Sequence, residues 1–228
     1  MYPQELKAII FDMDGVLVDS EPLHLLAMQK LLQHYEIDYS EHDNREFLGK
    51  KDLVIFEILI DRFKLDLTPS QFVDVKEELM VELIVSKAIA RPGVDSLLER
   101  ARSLDVPMAV ASSATLPTIN LVVDTLNIRH YFKTLCSGDQ VRHGKPAPDV
   151  YLLAAEQIGV APKDCLVIED TITGLTAGKA AGMFCVSIPC EATAHQDHSI
   201  ADLSLSRIDE IPVEKIFAMN KTKTTGGI

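Results

Sequence analysis

Ile9-Ile10-Phe11-Asp12-Met13-Asp14-Gly15-Val16 is the stretch on which the reading of this chain turns. An uninterrupted apolar run with β character leads into two acids one residue apart and then a glycine. Such a run reads as a buried strand of a parallel sheet. Acids at its C-terminal end stand where open α/β sheets bind their ligands. In an extended chain, residues two apart share a face, so Asp12 and Asp14 are expected to point the same way. Gly15 then permits a tight turn. Two carboxylates held close together need a cation or a shared proton. Taken alone, the stretch reads equally well as a strand ending in polar loop residues, so the rest of the chain decides.

Downstream, the pattern is first helical and then alternating. Ser20 reads as an N-cap with Glu21 and Pro22 in the first turn. A helix over 22 to about 35 carries Leu23, Ala27, Leu31 and Leu32 on one stripe and His24 in its first turn. Leu53, Phe56 and Ile60 mark a second helix. Thr68-Pro69-Ser70 opens a third with Phe72, Val75, Leu79 and Leu83 as its apolar face. Residues 17–87 therefore read as an inserted, all-helical domain, and 1–16 with 88–228 as the core it interrupts. After the Arg91-Pro92-Gly93 turn, strands at 106–111, 134–136, 165–168, 184–188 and 201–205 alternate with helices at 94–104, 116–126, 149–158 and 173–181. That alternation implies a parallel sheet with right-handed crossovers, an α/β fold.

Composition narrows the function classes. With 228 residues and 47% hydrophobic content, the chain can bury a sizeable core. A net charge of −12 with no basic patch argues against nucleic acid and against an anionic membrane surface. No run approaches the roughly 20 apolar residues of a membrane helix. The N-terminus has no basic region before an apolar one, and Asp12 and Asp14 break its first apolar run, so no signal peptide is expected. Cys136, Cys165, Cys185 and Cys190 form no CxxC pair and read as buried free thiols of a reducing compartment, with a cytoplasmic location expected. The tail 220–228 is polar and reads as loose.

Reactive side chains stand at the ends of the core strands. Asp12 and Asp14 end the first, Ser112 and Ser113 the second, and Glu169 and Asp170 the fourth; Lys145 follows the third. All C-terminal ends of a parallel sheet lie on one edge. Individually, Ser112-Ser113 reads as a turn, Lys145 as a solvated lysine and Glu169-Asp170 as a helix cap. Together they suit phosphoryl transfer. Asp12 and Asp170 offer hard oxygens for Mg²⁺. Lys145 is a point charge suited to a phosphate, and Ser112 with nearby backbone N–H groups can donate to phosphate oxygens. Asp12 can act as a carboxylate nucleophile, and Asp14 can move the proton.

This ordered set resembles the haloacid dehalogenase superfamily over roughly residues 6 to 205. The matching motifs are Asp12-Met13-Asp14-Gly15, Val110-Ala111-Ser112-Ser113, Gly144-Lys145-Pro146-Ala147-Pro148-Asp149 and Ile168-Glu169-Asp170-Thr171. Asp19-Ser20-Glu21-Pro22 and the Lys-Pro-x-Pro-Asp run look like the β-phosphoglucomutase-like subgroup. The resemblance implies a Rossmann-like core with a small inserted helical cap, Mg²⁺ dependence and an aspartyl-phosphate on Asp12. It implies Asp14 as acid/base and as metal ligand through its carbonyl, and Asp170 as metal ligand with Glu169 in support, directly or through water. Ser112, Ser113 and Lys145 would hold the phosphoryl group. The superfamily's dehalogenases lack the second aspartate, so Asp14 points away from them.

The mutase pattern has an arginine shortly after a cap glycine; here the sequence is Gly49-Lys50-Lys51-Asp52. His24 sits where the mutase has a histidine, a position related phosphatases share. The expectation is a phosphatase acting on a small phosphorylated metabolite as a monomer, with His24, Lys50 and Lys51 as candidate substrate contacts. A sugar phosphomutase and an inactive phosphate-binding scaffold are the alternatives. The large insert does not suit a receiver-type signalling domain.

Overall fold

The structure, a computed structural model, describes residues 6–47 and 52–217. The chain divides into two compact units, Met1–Asp19 with Ile89–Ile228, and Ser20–Ala88. Lys50, Lys51 and the 220–228 tail lie outside the described residues.

The first unit is built on a six-stranded parallel sheet. Its strands are β1 (Ala8–Phe11), β2 (Met108–Ser112), β3 (Phe132–Ser137), β4 (Cys165–Glu169), β5 (Phe184–Ser187) and β6 (Leu203–Ser204), in the order β3-β2-β1-β4-β5-β6. β1 is central, and Ile10 pairs with Ala109 on one side and Val167 on the other. All four of its residues are buried, which is why it shows no polar alternation. Ile10, Ala109 and Val167 share one apolar cluster with Tyr151, Ala154 and Ile158. Across β1, Phe11 meets the Phe132 ring edge-on at 5.8 Å between centroids. The chain leaves β1 towards β2 and β3 and later returns to β1's other side with β4. That reversal is the topological switch point, and ligands of such sheets bind outside the strand ends beside it.

Helices α5 (Val94–Ser103), α6 (Leu116–Thr125), α7 (Asp149–Ile158), α8 (Ile172–Ala180) and α9 (Val213–Phe217) complete this unit, numbered after the four of the other unit. Thr115 caps α6 and Thr171 caps α8, each accepting from the backbone N–H three residues on.

The second unit consists of α1 (Glu21–Gln33), α2 (Glu41–Arg45), α3 (Asp52–Phe63) and α4 (Pro69–Lys87). Met28, Leu31, Leu32, Phe47, Phe56 and Phe72 form its core, with Phe56 and Phe72 stacked at 4.4 Å. Thr68 opens α4 with a capping box: its hydroxyl accepts from Gln71 N, and Gln71 Oε1 accepts from Thr68 N.

Three local expectations change. Ser20 does not cap α1 through its side chain, because its own backbone is already helical (φ −88°, ψ −17°) and a capping hydroxyl needs extended geometry. Val75 is 41% exposed, whereas Lys76 is buried with its ammonium 5.4 Å from the Phe56 ring centroid. Four-residue spacing from Phe72 keeps Lys76 nearer the seam than Val75, and a lysine stem packs as hydrocarbon. β2 begins at Met108 because Pro107 has no N–H to give the ladder, although its carbonyl still accepts from Ile9 N. All four cysteines are buried free thiols. Among the described residues no helix is long and apolar enough to cross a membrane.

Candidate active site

β1 ends at Phe11, and Asp12 N continues the ladder by donating to Ile168 O at 3.0 Å. The chain then turns sharply. Val16, Leu17 and Val18 all donate to Met13 O, and Gly15 takes φ +71°. Glycine is required there twice over: the backbone is left-handed, and a β-carbon would come within 2.7 Å of Asp170 Cγ. Asp12, Glu169 and Asp170 each offer a carboxylate oxygen within 4.8 Å of the others, and Asp14 lies outside that set.

Lys145, joined to Pro146 by a cis peptide, reaches into the cluster with three acceptors for its three protons. Nζ donates to Asp12 Oδ1 at 2.5 Å, Glu169 Oε1 at 2.7 Å and Ala111 O at 3.2 Å. Burial alone would lower its pKa, but Asp12 and Glu169 outweigh burial and hold it above its ordinary value. Glu169 is 1% exposed and saturated. Oε1 accepts from Lys145 and from Tyr151 Oη at 2.7 Å; Oε2 accepts from Asp170 N, Thr171 N and Thr171 Oγ1, each at 3.0 Å. Burial pushes this carboxyl up, but Lys145 and the donors bring it below its usual range. Glu169 therefore anchors Lys145, whose ammonium also lies 4.6 Å from the Tyr151 ring centroid.

The same burial raises Asp12 well above the carboxylate range, opposed by Lys145 and reinforced by Glu169 and Asp170. Asp170 is pushed up to about 7, by burial first and then by the Glu169 charge. Its Oδ2 is within 3.3 Å of both Cys190 Sγ and Thr193 Oγ1, and its Oδ1 is buried without a hydrogen-bond partner. A buried unpaired carboxylate oxygen is costly. When ionised, three acids and one ammonium leave two net negative charges, which one divalent cation cancels. With oxygen as the donor type throughout, these residues fit a hard cation such as Mg²⁺.

Ser112 closes β2 almost fully buried, with Oγ accepting from Ala114 N at 3.0 Å, while Ser113 is exposed. So Asp12, Ser112, Lys145, Glu169 and Asp170 share one edge of the sheet. His24 is in the first turn of α1, in the other unit. Sequence reasoning missed Tyr151 and Thr193. Tyr151 stands six residues after Lys145 on α7, and nothing in that spacing marks it out. Cys190 was legible only as a buried thiol.

This is the edge of a parallel α/β sheet carrying a buried acid–lysine network, at the place where such sheets bind their ligands. A family model for haloacid dehalogenase-like hydrolases matches residues 6–182. The fructose-1-phosphate phosphatase YqaB of Escherichia coli is 33% identical over 185 residues, covering 81% of this chain and 97% of that protein. The phosphorylated carbohydrates phosphatase of Thermotoga maritima is 32% identical over 178 residues, covering 78% and 82%. The crystal structure of CbbY from Rhodobacter sphaeroides in complex with phosphate superposes with a TM-score of 0.77 at 28% identity, covering 91% of this chain and 96% of that one. The chain belongs to the haloacid dehalogenase-like hydrolases and is a phosphatase of that family.

Proposed function

We propose that the protein is a Mg²⁺-dependent phosphatase that hydrolyses a small phosphorylated metabolite, a sugar phosphate or similar, through an aspartyl-phosphate on Asp12. The observation that carries the reading is the buried Asp12–Lys145–Glu169 network beside the unpaired Asp170 Oδ1. Residues 17–87 act as the cap and 1–16 with 88–228 as the catalytic core. His24, Lys50 and Lys51 are candidate substrate contacts.

Lys145 holds Asp12 by Oδ1, and among the described residues no hydrogen bond is made to Oδ2. Oδ2 is therefore the attacking oxygen: it forms the bond to phosphorus as the ester P–O bond breaks. Asp14 gives its proton to the departing alkoxide oxygen. Asp14 next takes a proton from a water, whose oxygen attacks phosphorus. The bond to Asp12 breaks, inorganic phosphate leaves and the carboxylate is restored. Lys145 and the Ser112–Ser113 turn hold the phosphoryl oxygens. Asp12, Asp170 and the Asp14 carbonyl would hold Mg²⁺, with Glu169 in support. The bound ion supplies neutralisation of the charge on carboxylates and phosphoryl oxygens.

Phosphate release from p-nitrophenyl phosphate and a panel of sugar and polyol phosphates, with and without Mg²⁺, tests this reading. Release that depends on Mg²⁺ is expected. Release of equal size in the presence of chelator, or an isomerised sugar phosphate in place of free phosphate, would overturn it.

A further inference from the structure

The segment that follows β5 makes contacts that the phosphatase reading leaves unused. Cys190 and Thr193 form a compact turn: Cys190 N donates to Thr193 Oγ1 at 3.0 Å, and Thr193 N donates to Cys190 O at 3.1 Å. Both side chains then meet Asp170 Oδ2 at 3.3 Å, Sγ from one and Oγ1 from the other. The turn is tied down on its far side. His198 bridges it to the sheet, with Nε2 2.9 Å from Thr193 O and Nδ1 2.8 Å from the buried Ser187 Oγ. Gln196 Oε1 accepts from Ile172 N, at the start of α8, at 2.8 Å. The Gly15 backbone also packs against this carboxyl, where a β-carbon would meet Oδ2 first.

A carboxylate has two equivalent oxygens, and a free one can present either or both. Here the two are made unequal. Oδ2 is engaged by a thiol and a hydroxyl, and Oδ1 is the one buried side-chain polar atom among the described residues that has no partner. Resting on the reading of Asp12 and Asp170 as the cation site, we infer that Cys190 and Thr193 are positioning residues. Together they hold Oδ2, fix the torsion of the Asp170 carboxylate and so present Oδ1 alone to the cation. The arrangement needs Cys190 as a thiol, because only S–H can donate to a carboxylate oxygen. Outer-sphere partners of this kind act on how tightly a metal is held.

The test is Mn²⁺ binding to metal-free protein, read from the EPR signal of the free ion, with thermal unfolding of each metal-free variant alongside. The variants are Cys190→Ala, Thr193→Val, their double mutant, and Cys190→Ser, which restores a hydroxyl donor. The double mutant is expected to bind Mn²⁺ about tenfold or more weakly, the range for lost outer-sphere partners. Cys190→Ser is expected to recover most of what Cys190→Ala loses. Equal Mn²⁺ affinity in wild type and double mutant overturns the inference and leaves the cation site standing. So does a loss that Cys190→Ser fails to recover while it tracks a fall in metal-free stability, which would mark a packing role. Wild type that binds no Mn²⁺ overturns the cation site itself.

Discussion

Gly174→Ala sets two principles against each other. Gly174 lies in the first turn of α8, where its N–H donates to Thr171 Oγ1 at 3.0 Å. Its φ is not left-handed, so by helix propensity alone alanine should stabilise the protein by about 0.5–1 kcal/mol. Yet a β-carbon there would fall inside the Glu169 carboxylate, and its nearest neighbours are all atoms of that group. Glu169 cannot step aside freely, because five donors hold it in a buried site. Displacing it removes one of the two carboxylates that balance Lys145. Breaking a buried pair costs about 3–5 kcal/mol. Set against the propensity gain, the net loss is at least about 2 kcal/mol, or a fall in Tm of roughly 4–8 °C at this chain length. Metal-free thermal unfolding measures it, with Gly144→Ala as control, since a β-carbon there meets nothing within 4 Å. Activity should fall with stability, because Lys145 positions Asp12. A Gly174→Ala protein as stable and as active as wild type would refute the claim that Glu169 is fixed by that network.

Three further outcomes are expected. Asp12→Asn should abolish phosphate release and leave the circular dichroism spectrum unchanged; residual turnover within about tenfold of wild type would remove Asp12 from the role of nucleophile. Tyr151→Phe deletes one 2.7 Å hydrogen bond to a buried carboxylate, so unfolding should become easier by about 1.5–3 kcal/mol, with kcat reduced but measurable; unchanged stability would show that Glu169 does not depend on it. Finally, a metal-free Asp170 that titrates near about 7 keeps a proton which the unfolded chain, with a carboxyl near about 3.9, has already released. Its contribution is present in full below the unfolded value and is lost as pH rises through about 7. The Tm difference between wild type and Asp170→Asn, both metal-free, should therefore move against wild type between pH 5 and pH 8; movement the other way sinks the assignment.

Much of the sheet was legible because its strands are buried on both faces, and burial on both faces removes polar alternation. Ile9 to Phe11 and Cys165 to Ile168 are readable for that reason alone. Asp12, Lys145, Glu169 and Asp170 were legible as neighbours because a parallel sheet collects its strand ends on one edge, so order along the chain becomes proximity in space. What escaped was whatever comes from side-chain reach and not from strand position. Tyr151 belongs to a helix, and its hydroxyl arrives at Glu169 only because α7 packs on β1, β2 and β3. Cys190 and Thr193 arrive at Asp170 through a turn whose shape no residue pattern announces. Lys76 shows a related limit: a charged letter in an amphipathic pattern marks the outside, yet its hydrocarbon stem lies along the apolar seam.

The proposed cation need not be treated as an accessory to a site already suited to phosphate. The chain carries a net charge of −12, and the Asp12–Lys145–Glu169–Asp170 cluster is itself net negative when ionised. Lys145 is the cluster's one positive group, and all three of its protons are already committed to protein oxygens. A phosphate ester that met this arrangement alone would face repulsion, and Lys145 would have to release one protein oxygen to reach it. Burial and neighbouring charge then push the Asp12 carboxyl towards its protonated form, in which it is a poor nucleophile. A divalent ion beside Asp12 and Asp170 removes both obstacles together, since it cancels the cluster's net charge and favours the ionised carboxylate. On this account the same burial that raises the acids in the metal-free protein is what makes phosphate affinity and nucleophile ionisation depend on one ion.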